Sequence, residues 1–211
     1  NDAVVLGIGL HLGRSTRVPG SEGEGVEKSI DLLARVTAGE EVPVPEKVAV
    51  IGGGNVAMDI ARTMARLQKQ KYGRVGVTVT ALEDFDHFLA DTEEVTESVE
   101  EEIEIFDARG PQEVVRFKSG KNKGKVKGLK TWKVSSIFDD QGRFAPQYDP
   151  ADEMVHPAEM VIEAIGQAAD VSLLGDDLTE ALEWARGRIA ADVNGRTSEP
   201  WLWAAGDAVH G

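Results

Sequence analysis

Gly52-Gly53-Gly54-Asn55-Val56-Ala57 satisfies the pattern G-x-G-x-x-A at a place where the pattern has chemical meaning. Before it runs KVAVIG (47–52), a continuous β-branched strand of the kind covered on both faces of a parallel sheet. After it, from Asn55, the apolar residues Val56, Ile60, Met64 and Leu67 recur at helical spacing up to Tyr72, with Gly73 as the stop. Between a strand and a helix, such a turn can seat a diphosphate. Gly52 permits the tight turn, Gly54 removes the Cβ that would obstruct a pyrophosphate, and Ala57 lets the helix pack closely on the strand. The unpaired amides at the helix start then face the anion, aided by the helix dipole. No lysine follows in a P-loop pattern, which disfavours cradling of a nucleoside triphosphate. The plainer reading is a turn that needs glycine and nothing more.

A dinucleotide also needs a group that reads its ribose, usually at the end of the second strand. VGVTVTAL (75–82) is that strand, and Glu83 follows it. A carboxylate there accepts hydrogen bonds from the 2′- and 3′-hydroxyls and repels a 2′-phosphate. The interval from Gly54 to Glu83 is 29 residues, longer than the usual ~20, because the intervening helix is long. Residues 83–104 contain many acids and no Lys or Arg. As a solvated helix face or as an electrostatic barrier, the stretch favours NAD(H) over NADP(H).

Other chemistry is missing. The chain has no cysteine, which removes disulfides, thiolate metal sites, iron–sulfur ligation and a cysteine nucleophile from these residues. His11, His87, His156 and His210 stand at no metal-ligand spacing and read as loop or surface residues. Ser135, Ser136, Asp139 and Asp140 read as strand and turn residues, so no catalytic residue and no metal ligand is assigned. The lysines of KSGKNKGKVKGLK (118–130) suggest a solvated hairpin or, in a sharper reading, a docking surface for an acidic partner. Trp132, Trp201 and Trp203 read as packing residues.

The elements that position these groups follow from periodicity. AVVLGIG (3–9) predicts a short buried strand, GRSTRVPGSEGEG (13–25) a loop, and VEKSIDLLARVTAG (26–39) a helix with Ile30, Leu32, Leu33 and Val36 on one face. Strand 47–52, helix 55–72, strand 75–82, acidic helix 92–102 and strand 103–108 alternate as in a Rossmann-like, doubly wound α/β parallel sheet. Residues 113–119, 125–139 and 153–166, separated by KNKG and DDQG turns, suggest an antiparallel β-meander whose last part, VIEAIG, returns to the main sheet. A short helix is expected over 178–187, then an Asn194-Gly195 hairpin and a final strand.

Bulk properties limit the partners. The 211 residues are 41% hydrophobic and 28% charged, and carry a formal net charge of −14. That is a globular composition whose sign argues against nucleic acid or an anionic membrane. No apolar run approaches the ~20 residues of a membrane span, and no signal peptide is visible, so a cytoplasmic location is expected. The chain opens on Asn1 without methionine and closes on GDAVHG, so both ends look cut.

Four stretches in this order resemble one family. DAVVLGIG (2–9), VIGGGNVAMDIART (50–63), VIEAIGQAAD (161–170) and NGRTSEPWLWAAGDAVHG (194–211) are similar to the pyridine-nucleotide domain and adjoining flavin-domain pieces of the FAD-dependent glutamate synthase small (beta) subunit. The resemblance, within the pyridine nucleotide-disulfide oxidoreductase class, covers nearly the whole chain. It implies that residues 52–57 bind NAD(P)H and that Ile165-Gly166 pass beside the bound nicotinamide nucleotide. It implies that Gly206-Asp207 belong to the motif whose aspartate binds the ribityl–phosphate region of FAD. Where glutamate synthase members carry an arginine pair for the NADP 2′-phosphate, this chain has Leu82 and Glu83, a departure that favours NADH.

The same resemblance implies an FAD fingerprint and iron–sulfur segments upstream of Asn1, in a longer protein that passes hydride from NAD(P)H to FAD. It also implies a separate electron-accepting subunit or ferredoxin-like partner, and a fragment inactive by itself. The expected division is 1–43, the end of a first FAD-domain segment and connector; 44–168, the NAD(P)-binding domain; and 169–211, the start of a second FAD-domain segment. Two other readings stay open: a non-catalytic dinucleotide-sensing or assembly module, and a Rossmann-like domain for S-adenosylmethionine.

Overall fold

A computed structural model of the chain describes residues 3–209. In chain order the strands and helices begin with β1 (Val4–Leu6), β2 (Leu12–Gly13), β3 (Val26–Lys28), α1 (Ser29–Thr37), β4 (Val48–Ile51), α2 (Asn55–Tyr72) and β5 (Val77–Thr80). They continue with α3 (Thr92–Glu100), β6 (Glu104–Phe106), β7 (Arg109–Arg116), β8 (Val126–Phe138), β9 (Phe144–Pro157) and β10 (Met160–Glu163). The last are β11 (Gln167–Ala168), α4 (Gly175–Ala181), β12 (Trp184–Ala185), β13 (Arg188–Ile189) and β14 (Leu202–Ala204).

These elements form two compact units. One is Gly13–Ile165; the other is the described part of Asn1–Leu12 with that of Gly166–Gly211.

In the larger unit a five-stranded parallel sheet has the order β3-β10-β4-β5-β6. Period 2 along β4 sorts its residues between two cores. Val48 and Val50 face α1 and α2, joining Leu32, Ala57, Met58, Ile60, Ala61 and Met64. Ala49 and Ile51 face the antiparallel sheet β7-β8-β9, joining Val114, Val126 and Leu129. With layers on both faces, β4 and β10 are buried at every residue. That is why β4 reads as an unbroken apolar run, while β10 is apolar up to the buried Glu163 at its end. The expected α/β architecture with a parallel sheet and an antiparallel meander is therefore the one observed.

Several expectations give way. Val26–Lys28 is not the first turn of α1; it is an edge strand in register with Val161–Glu163. The compact units divide at 12/13 and 165/166. The meander's third strand starts at Phe144, not 153, despite Pro146 and Pro150. β9 is an edge of its sheet, where a missing N–H is tolerated, and three register shifts absorb the irregularity.

In the smaller unit β1 pairs with β14 in parallel, but only Leu6 of β1 is buried and Val5 is 69% exposed. The helix expected over 178–187 is α4, which ends at Ala181; β12 and β13 then form a hairpin turned by Arg186 and Gly187, both at positive φ as a type I′ turn requires. Asn194-Gly195 turns the chain between Asp192 and a single antiparallel bridge, Arg196–Trp203, not between two strands.

Candidate dinucleotide site

The parallel strands β4, β5 and β10 bring Gly52, Glu83 and Ile165 to the same end of the sheet. Gly52 sits at φ 144°, and a Cβ there would stand 2.4 Å from the Ala164 carbonyl oxygen. Its N–H donates to the Thr80 carbonyl at 2.9 Å, which fastens the turn to β5. The same built Cβ would lie 3.3 Å from Cβ of Ala57, so the small residue at 57 lets α2 begin this close to the turn.

Gly54 caps α2 with no side chain serving the cap. A Cβ added there meets nothing within 4 Å, so its side of the turn is open. Gly54's carbonyl accepts from Ala57 N–H and Met58 N–H at 2.9 and 3.3 Å. The N–H groups of Asn55 and Val56 have no partner among the described residues. The first turn of α2 carries no acid to compete for them. Open space, unsatisfied amides and the positive end of an 18-residue helix fit a diphosphate.

Gly53 is the turn's hidden member. It lies among the residues 52–57 expected to bind the nucleotide, but the fingerprint leaves the residue type at its position free. A Cβ there would stand 2.7 Å from Glu83 Oε2 and 3.0 Å from Ala81 Cβ. Glu83, half-buried, thus lies beside the turn. Its backbone is braced by the Ala108 N–H, which donates to the Glu83 carbonyl at 2.8 Å from a left-handed residue at φ 47°.

The side chain of Asn55 is occupied. Its Nδ2 donates to Asp91 Oδ2 at 2.9 Å, and its Oδ1 accepts the Asp91 N–H at 2.8 Å. Ala90 N–H donates to the Gly53 carbonyl at 2.9 Å. The segment after Glu83 is therefore strapped back across the helix start. No local pattern announces these contacts, because each partner lies more than thirty residues away.

The acidic stretch is not a free anionic face. Arg62 of α2 holds Glu94, Glu97 and Glu101, Arg66 shares Glu101, and Lys69 pairs with Glu102. Hydrogen bonds from Arg66 and Arg62 keep the Glu101 carboxyl below its ordinary value, against partial burial. The acids that stand at the turn are Glu83, beside Gly53, and Asp91, bonded to Asn55, while the exposed Asp84 is bonded to His87 Nδ1 at 2.6 Å.

Beside the turn, Glu163 at the end of β10 is 1% exposed. It pairs with Lys28 and accepts from the Thr16 N–H at 2.7 Å and from the Thr16 and Ser15 hydroxyls. Ile165 follows at 37% exposure, and Gly166 adopts φ 105°.

In the smaller unit, the parallel pair β1 and β14 runs into Gly7–Gly9 and Ala205–Asp207 respectively. Ala205 N–H donates to the Leu6 carbonyl at 2.9 Å; Gly206, at φ 72°, opens a short 3-10 turn that leaves Asp207 exposed and Ala208 buried. Added Cβ atoms at Gly7, Gly9 and Gly206 meet nothing within 4 Å.

His156 corrects the surface reading of the histidines: it is 4% exposed in β9, with Nε2 3.0 Å from the Thr131 hydroxyl and its ring edge-on to Phe106. His210 lies outside the described residues. Among the described residues no cluster of three His, Asp or Glu could hold a metal ion. Nor, among the described residues, is any helix long and apolar enough to cross a membrane.

A profile of the pyridine nucleotide-disulphide oxidoreductase family matches residues 1–211. The chain belongs to that family. Over its whole length it is 30% identical to the glutamate synthase [NADPH] small chain of Halomonas elongata, covering 45% of that protein. It is 30% identical to the NAD-dependent dihydropyrimidine dehydrogenase subunit PreT of Escherichia coli K12, covering 42% of it. The NADP(+)-dependent formate dehydrogenase subunit beta of Moorella thermoacetica is 33% identical, with 29% covered. The chain thus spans less than half the length of each of these relatives. Among solved structures, thioredoxin reductase of T. acidophilum superposes with a TM-score of 0.69 at 21% identity, and Mycobacterium tuberculosis FprA in complex with NADPH with 0.71 at 17%. Each match takes in 99% of this chain and 58% of the other, and supports the fold. In this family member the absence of cysteine means that no redox disulfide forms within these residues.

Proposed function

We propose that the chain is the nicotinamide-dinucleotide-binding part of an FAD-dependent oxidoreductase, with NADH as its reductant. The observation that carries this reading is the Glu83 carboxylate standing against the glycine turn, beside the unpartnered amides of Asn55 and Val56. The amides and helix dipole hold the diphosphate. Glu83 accepts from the ribose 2′- and 3′-hydroxyls and meets a 2′-phosphate with like charge. The names of relatives point to both nucleotides, so the residue at 83 is the deciding feature. Ile165-Gly166 run beside the nicotinamide portion.

In the longer protein Gly206 and Asp207 contribute to FAD binding. When bound, the two cofactors supply hydride transfer from nicotinamide to flavin, and the chain's own residues align the dinucleotide and keep water away. No general base or nucleophile is required of this chain. Residues 13–165 then form the nucleotide domain and the flanking pieces belong to the flavin domain. Iron–sulfur clusters in an upstream segment, a separate electron-accepting subunit or ferredoxin-like partner, and a cytoplasmic setting complete the proposal. Relatives named as a small chain or a subunit support the separate partner.

The test is titration of the full-length protein with NADH and NADPH. NADH should bind at least tenfold tighter, and replacing Leu82 and Glu83 by arginine should reverse the preference. Equal or tighter binding of NADPH by the wild type would refute the assignment of Glu83.

A further inference from the structure

Residues 83–91 carry more than the ribose-reading acid. The strap is tied at both ends: Phe85 N–H donates to Asp107 Oδ2 at 3.3 Å, and Ala90 and Asp91 are bonded to Gly53 and Asn55. Between those ties, Phe85 and Phe88 stack at 5.4 Å with planes 13° apart. Phe88 is half-buried and packs against the core beneath α2, so the inner ring is fixed. Phe85 lies on it with 52% of its surface exposed, and Leu89 nearby is 73% exposed. Large apolar side chains held in water by a fastened loop, among Asp84, Asp86 and Asp107, are an odd expense for solubility alone.

We propose that Phe85, stacked on Phe88, is the platform on which the adenine ring of the dinucleotide lies. The inference rests on the nucleotide reading above. With the diphosphate at residues 54–56 and the ribose on Glu83, the base leaves the ribose on the side away from the turn. Phe85 stands there, two residues past Glu83 and tied to Asp107, which follows β6 at the sheet edge beyond β5. A purine is neutral and flat, so the surrounding acids do not oppose it, and the aromatic face attracts it by offset stacking. Because the pair is already stacked and tied down, binding orders little that was free.

The test is calorimetric titration of the full-length protein with NADH, with ADP-ribose, which lacks nicotinamide, and with reduced nicotinamide mononucleotide, which lacks adenosine. Phe85→Ala should weaken NADH and ADP-ribose about tenfold, within the range lost with one base–aromatic stack. It should leave the mononucleotide unchanged. Phe85→Tyr should restore wild-type affinity to within about twofold, which separates loss of stacking from loss of folding. Unchanged ADP-ribose affinity in Phe85→Ala, or equal weakening of the mononucleotide, would overturn the platform while leaving the nucleotide reading intact. A wild-type protein that binds neither NADH nor ADP-ribose would overturn both.

Discussion

The carboxylate of Glu83 lies against Gly53, so near that a Cβ on the glycine would stand 2.7 Å from Oε2. An acid at the end of β5 and a turn at the end of β4 are thereby one constellation. Gly53→Ala tests the coupling. The carboxylate is the far end of a flexible side chain and can swing away at little cost, while Ala81 Cβ at 3.0 Å must give by a few tenths of an ångström. We expect a stability loss of about 1 kcal/mol by denaturant unfolding, together with a clear fall in the NADH-over-NADPH ratio. A full loss of folding, or an unaltered ratio, would speak against this geometry.

Gly52→Ala should be far worse. The new Cβ would meet the rigid Ala164 carbonyl at 2.4 Å, in a backbone conformation at φ 144° that L-residues avoid. Overpacking and strain together should cost about 3 kcal/mol or more. An urea midpoint within experimental error of wild type would show that the strand β10 end moves freely.

Glu163 links stability to acid. Burial alone would raise its carboxyl, but hydrogen bonds from Lys28 and Thr16 reverse the effect and hold it below the ordinary value of 4.5. A carboxyl lowered in the folded state contributes stability above that ordinary value, and the contribution is lost as pH falls through the folded pKa. Glu163→Gln should cost about 2–3 kcal/mol at pH 7, less than a fully buried pair because Lys28 is 26% exposed. The gap from wild type should shrink below about pH 4. Unfolding curves at both pH values check it; a gap that widens in acid would contradict the ion pair.

His156 acts at milder pH. Burial, and then the positive charge of Arg109, lower its pKa from the ordinary 6.5. The folded protein therefore favours the neutral ring, and stability falls as pH drops below about 6.5, where the unfolded chain takes up the proton. His87 has the opposite sign, because its hydrogen bond to Asp84 raises its pKa. Comparing wild type with His156→Gln between pH 7.5 and 5.5 isolates the buried ring. The variant should lose stability less steeply with acid, and parallel slopes would mean that His156 does not titrate in this range.

The parts of the fold legible in the sequence are those whose pattern is local. β4 reads as a strand because both of its faces are covered, and α2 because its apolar stripe ends at Gly73, which adopts φ 72° as a left-handed stop. Val26–Lys28 was legible only as helix, since its strand character comes from pairing with β10 across more than 130 residues. Pro146 and Pro150 concealed half of β9, whose edge position no local pattern reveals. At the candidate site the glycines and Glu83 stood out by type and spacing. The contact of Gly53 with Glu83 and the places of Asp91 and Phe85 did not, because each depends on what the folded chain brings beside it.

The central claim is that the backbone of residues 52–57 seats the diphosphate of NAD(H) with its ribose on Glu83. A diffraction experiment on crystals of the protein soaked with NADH tests it most directly. The account predicts diphosphate oxygens about 2.8–3.1 Å from the Asn55 and Val56 N–H groups, with both ribose hydroxyls on the Glu83 carboxylate. A dinucleotide bound elsewhere, or that crevice left empty at saturating NADH, would contradict it.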